Sequence, residues 1–136
     1  WTDEDWSGIY QLGDTALLDA ATRFTAGMYL DNYDMCLSFQ WQKQLKIGKG
    51  GAVLTDNTDL YEWLLSSRHD GRDYNLWNKW TAQPVFRRTG YHYNMIPEDC
   101  ALGILLMDQL PENNGDVCSP AKSYYPDLSK RLKFLN

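Results

Sequence analysis

The sequence predicts a mainly α fold: a compact single-domain helical bundle over residues 1–136, with one short β-hairpin around residues 35–55 as a variant. Three observations carry that expectation. Leu17, Ala21, Phe24 and Met28 recur at helical spacing between Asp14 and Leu30. The run from Asp59 to Asp70 follows the candidate caps Asp56 and Thr58 and meets Gly71 at its far end. A third run opens at Pro97 and is stopped by Pro111.

In chain order, residues 1–13 read as an aromatic leading loop with Trp1, Trp6 and Tyr10, punctuated by Gly8 and Gly13. Asp14 then caps the first predicted helix, where Asp19 and Arg23 stand four apart as an exposed ion pair. Asp31-Asn32 breaks it. From Tyr33 to Ile47 the pattern supports two structures. Tyr33, Met35, Leu37, Phe39, Trp41, Leu45 and Ile47 all fall on odd positions, with only Lys43 out of step, which is the period of a strand. Tyr33, Leu37, Trp41 and Leu45 also align at i, i+4, and the length suits a helix better. The helix is the preferred reading. The strand alternative makes a hairpin with Ala52-Val53-Leu54, its tip near Gly50-Gly51.

Leu60, Trp63 and Leu64 form the inner stripe of the next helix, and a short turn with Trp77 and Trp80 closes at Pro84. Residues 85–96 read as an irregular connection. Glu98 and Asp99 suit the positive end of the helix begun at Pro97, whose inner residues are Ala101, Ile104, Leu105 and Met107. The chain finishes with a polar loop and an amphipathic tail, DLSKRLKFL.

A chain of 136 residues is one domain by length and can bury its own core. The formal net charge of −5 lacks the basic footprint of a nucleic-acid binder. No apolar run is long enough to cross a bilayer. The polar start WTDEDWSG has no signal-peptide pattern and no initiating Met, so the expectation is a soluble, processed or excised chain. Cys36, Cys100 and Cys118 are an odd set without C-x-x-C spacing, which argues against a zinc knuckle or a disulfide framework. No metal and no cofactor is expected.

Candidate binding residues cluster in one basic and aromatic region: Arg72, Trp77, Trp80, Arg87, Arg88, Tyr91, His92 and Tyr93. Guanidinium groups read planar anions bidentately, and aromatic faces stack on rings or on Arg planes. His69 and His92 stand in no metal-binding spacing. Glycosidase chemistry needs two carboxylates across a cleft. Only the acidic start, with Glu4, offers itself for that role.

The segment GIYQLGDTAL, with Gly8, Tyr10, Gln11, Gly13, Ala16 and Leu17, resembles the G-x-x-Q segment that opens a helix in lysozyme-like peptidoglycan hydrolases. The same stretch, extended through Ala20, Ala21 and Arg23, is similar to helix pairs of α/α-toroid carbohydrate enzymes. The first resemblance implies a glycan-active or glycan-binding module, with Glu4 and Gln11 as its catalytic candidates. With no complete catalytic motif in the chain, the preferred expectation is a non-enzymatic protein-binding domain: an inhibitor, an immunity-type protein or an accessory subunit. Its partner would be another protein, with a glycan as the alternative.

Overall fold

The structure, a computed structural model, describes residues 7–73 and 85–117. A four-stranded mixed sheet organises them: β1 Tyr10–Gln11, β2 Leu17–Asp19, β3 Asp34–Ser38 and β4 Gly51–Leu54, in that spatial order. β1 and β2 are antiparallel, with Tyr10 opposite Asp19. β2 and β3 are parallel, which sets Leu18 beside Met35 and Asp19 beside Cys36. β3 and β4 are antiparallel, from Met35 opposite Leu54 to Ser38 opposite Gly51. Two helices accompany the sheet among the described residues, α1 Thr58–Ser67 and α2 Pro97–Gln109. The expected mainly α bundle is therefore corrected to a mixed sheet with two helices.

The largest correction falls on Asp14–Leu30. Its middle enters the sheet as β2, and the remainder is turns. The Asp34 N–H donates to the Ala16 carbonyl and the Ala20 N–H to the Cys36 carbonyl, both at 2.9 Å. These bonds to β3 engage backbone groups that a helix would have paired internally. The Asp19 carboxylate accepts the Ala21 N–H at 2.9 Å, a local bond that favours a turn over a helix. Gly27 then takes a left-handed φ of +67°. Phe24 and Met28 reach the core from a loop, so their helical spacing reflects no helix.

Between Tyr33 and Ile47 the period-two pattern prevails and the preferred helix does not form. Met35 and Leu37 are buried, while Asp34, Cys36 and Ser38 on the other face are half-buried. The hairpin variant is thus the observed one, but with residues 39–50 as a long connection rather than a tight tip. Gly51 begins β4 so close to the Leu37 carbonyl that a Cβ there would collide with it. Leu18, Ala20, Met35 and Leu37 form the buried centre. Ile9, Phe24, Met28, Tyr29, Tyr33, Phe39, Ala52 and Leu54 surround it.

Both helices lie where the sequence put them. Asn57, between the two candidate caps, is the N-cap of α1, and its Oδ1 accepts the Leu60 N–H at 3.1 Å. α2 starts at Pro97 with Glu98 and Asp99 in its first turn. Gly103 is the buried residue of α2, and a Cβ there would come within 2.7 Å of Ile47 Cδ1. α2 therefore presses on the connection between β3 and β4. The Trp77–Trp80 turn and the C-terminal tail expected from the sequence lie outside the described residues. No helix among the described residues is long and apolar enough to cross a membrane.

Candidate active site at the carboxyl ends of β2 and β3

Because β2 and β3 run parallel, their carboxyl ends open at the same edge, where α/β sheets place their ligands. β2 delivers Asp19 there. β3 delivers Ser38 and then the connection that carries Lys43. Lys43 is only 8% exposed, whereas Lys46 and Lys49 in the same connection lie on the surface. Lysine is rarely buried without a reason, since its ammonium is strongly hydrated and its stem usually lets it reach water. Trp41, two residues earlier, is 69% exposed. The connection thus buries its lysine and exposes its tryptophan, the reverse of hydropathy. Among the described residues no carboxylate forms an ion pair with Lys43.

The Lys43 segment is tied down on both sides. The Lys43 N–H donates to the Gln40 carbonyl at 2.9 Å. Gln44 Nε2 donates to the Thr22 carbonyl at 2.9 Å and to the Gly115 carbonyl at 2.8 Å. Leu45 is buried, and the Phe39 ring meets the Phe24 ring edge-on at 6.2 Å. Gln44 therefore holds the lysine segment against the residues that follow Asp19.

Those residues have their own scaffold. Thr22 is 1% exposed; its Oγ1 accepts the Gly8 N–H at 2.8 Å and donates to the Gly8 carbonyl at 2.9 Å. Arg23 does not pair with Asp19 as the sequence suggested. Its guanidinium forks onto Asp116, Nε to Oδ1 and Nη2 to Oδ2, both at 2.7 Å. This hydrogen-bonded pairing raises the Arg23 pKa above the ordinary arginine value and lowers that of Asp116 below the ordinary carboxylate value. Thr25 Oγ1 donates to the Glu112 carbonyl at 3.0 Å, and Asn114 Nδ2 donates to the Phe24 carbonyl at 3.1 Å. The loop after α2 is thereby stitched to the exit of β2. Cys36, beside Asp19, has a raised thiol pKa, first from burial and then from the Asp19 and Asp34 charges.

Six of the eight binding residues expected from the sequence, Arg72, Arg87, Arg88, Tyr91, His92 and Tyr93, lie elsewhere, in a clasp between residues 67–73 and 85–93. Tyr91 N–H donates to the Ser67 carbonyl at 2.6 Å, Asp70 N–H to the Tyr91 carbonyl at 3.0 Å and Arg87 N–H to the Gly71 carbonyl at 2.9 Å. Gly71 and Gly90 approach so closely that a Cβ on either would strike the other strand's backbone. Arg72 lies over the Phe86 ring at 5.8 Å and pairs with Asp70 at 3.7 Å. Arg87 pairs with Asp73. Tyr91 and Tyr93 stack at 5.1 Å, and His92 Nδ1 stands 3.3 Å from Asp70. The His69 pKa is lowered, first by burial and then by Arg68. Arg88 is exposed. Trp77, Trp80 and Glu4 lie outside the described residues. Gln11 sits on exposed β1, its Nε2 donating to the Thr15 carbonyl at 2.8 Å, a local turn contact.

Asp19 and Lys43 did not stand out as site residues in the sequence. The available signal was Lys43 itself, the one position out of step in the alternating run from Tyr33 to Ile47.

A model of the DegT/DnrJ/EryC1/StrS aminotransferase family matches residues 30–132. The chain belongs to this family. The match spans β3, the Lys43 connection, β4, both helices and the clasp, with Asp19 just upstream of it. No curated protein and no solved structure matches the chain. Membership of an aminotransferase family points to an enzyme-type function. It overturns the expected non-enzymatic protein-binding domain.

Proposed function

We propose that this DegT/DnrJ/EryC1/StrS-family chain serves amino-group transfer, with Lys43 and Asp19 as its reactive pair. The observation that carries the reading is the buried Lys43 beyond the carboxyl end of a strand parallel to the one that ends in Asp19. Amino-group transfer calls for a carbonyl cofactor of the pyridoxal phosphate type, which supplies an electron sink when bound. The residues present fit such a group. It needs a lysine amine in a dry setting and a carboxylate for its ring nitrogen. Lys43 would hold it through Nζ, and Asp19, oriented by the Ala21 N–H, would set negative charge against the ring nitrogen.

The remaining roles follow from the same geometry. Lys43 would act as the nucleophile toward that group and as the carrier of the proton moved in the transfer. Gln44 fixes the lysine segment, so the amine does not wander with its flexible stem. Thr22 and the Arg23–Asp116 fork hold the exit of β2 in place behind Asp19. A covalent trap tests the assignment. The purified chain is incubated with pyridoxal phosphate, reduced with borohydride and mapped by peptide mass spectrometry. The expected label sits on Lys43 in preference to exposed Lys46 and Lys49, and Lys43→Ala loses it. Equal labelling of the three lysines would overturn the assignment.

A further inference from the structure

α2 and the clasp each leave a surface open, and the two surfaces are opposite in charge. Gly103, which faces Ile47, is the buried residue of α2. Away from it lie Ile104, 64% exposed, and Leu105, 61% exposed. A helix apolar around most of its circumference is normally buried. Glu98, Ala101, Leu105 and Asp108 follow one another at i, i+3, i+7 and i+10, so both carboxylates stand on this same outer face. Both are exposed, and neither forms an ion pair among the described residues.

The clasp has the converse chemistry. Tyr91 and Tyr93 stack with their planes 8° apart and are 51% and 73% exposed. The Tyr93 N–H donates to the Arg68 carbonyl at 3.1 Å, which sets Arg68 beside the stack. Arg72 and Arg87 have Asp70 and Asp73 as partners. Arg68 and Arg88 are exposed and form no ion pair among the described residues. Stacked tyrosines beside arginine are the composition of an interface hot spot. Within one chain the acidic helix and the basic clasp are both exposed, so they do not cover each other there. Helix on helix would oppose carboxylates, and clasp on clasp would oppose guanidinium groups; only helix on clasp matches charge. We infer that α2 of one copy of this chain packs on the clasp of a second copy. Ile104 and Leu105 then meet Tyr91 and Tyr93, and Glu98 and Asp108 meet Arg68 and Arg88. Each chain carries both surfaces, so two copies make the contact twice about a two-fold axis. The contact uses none of the residues assigned to amino-group transfer.

Sedimentation equilibrium of the full chain and a charge-swap pair test the contact. Wild type is expected at twice the chain mass. Arg68→Glu/Arg88→Glu sets acid against acid, and Glu98→Lys/Asp108→Lys sets base against base. Each should raise the dimer Kd by on the order of tenfold or more. Their equimolar mixture should return to the wild-type Kd, because the reversed clasp meets the reversed helix and the two unaltered surfaces meet each other. All four side chains are exposed, so the fold is kept. Leu105→Asp leaves the arginines in place and should weaken association through the apolar contact. A wild type that stays monomeric up to about 100 μM, where a standard-sized interface holds, would overturn the inference. So would either reversal leaving association unchanged, or a mixture that recovers nothing.

Discussion

Replacing Thr22 by valine changes one hydroxyl into a methyl of nearly the same size, at a residue with almost no solvent exposure. The hydroxyl serves two partners on one residue: it accepts the Gly8 N–H at 2.8 Å and donates to the Gly8 carbonyl at 2.9 Å. Valine leaves both Gly8 groups buried without their partner. Each orphaned group costs about 1–3 kcal/mol, and partial relaxation brings the pair to roughly 2–4 kcal/mol. Against the ~5–15 kcal/mol that holds a typical domain, this is a large fraction. At this chain length it corresponds to a fall in Tm of about 6–15 °C. Thr22→Ser is the matched control, since it keeps the hydroxyl and forgoes one methyl at about 1 kcal/mol. Urea denaturation followed by tryptophan fluorescence gives both values, and an unchanged m-value assigns the difference to stability. A Thr22→Val variant as stable as Thr22→Ser would refute the argument that this hydroxyl anchors the exit of β2.

Three further outcomes are expected. The folded-state pKa of Asp116 is depressed, so its contribution is fully present above the ordinary aspartate range near pH ~4 and is lost as pH falls through the folded value. Asp116→Asn should therefore be less stable than wild type by about 0.5–1 kcal/mol at neutral pH, and acid titration of both proteins should show the gap closing below about pH 4. Iodoacetamide at mildly alkaline pH should alkylate exposed Cys100 before Cys36, whose thiol is held protonated; peptide-resolved mass spectrometry should find Cys36 slower by on the order of tenfold. Gly103→Val should destabilise by about 1–3 kcal/mol through its clash with Ile47, and the double variant with Ile47→Ala should recover at least ~0.5 kcal/mol in a double-mutant cycle.

The sequence alone located the two helices that form, while also setting helices over Asp14–Leu30 and Tyr33–Ile47 where the chain builds strands and turns. Pro97, Glu98-Asp99 and Pro111 bounded α2, and the cluster of candidate caps around Asn57 located the start of α1, because capping acts within a single turn of chain. It also held the strand pattern of Tyr33–Ile47, although length argued for a helix there. Tertiary structure decided the rest. β2 is three residues long and exists because β3 lies beside it in parallel, so nothing local to Leu17–Asp19 could distinguish it from the helix its spacing suggested. Of the basic and aromatic residues expected to form a site, Arg72, Arg87, Arg88, Tyr91, His92 and Tyr93 lie in the clasp, while the candidate active site arose from Asp19 and Lys43. Their placement at one edge depends on strand direction and on Gln44 reaching Thr22, relations between segments far apart in the chain. Hydropathy assigns a lysine to the surface, and only packing of the 39–50 connection against the exit of β2 buries this one.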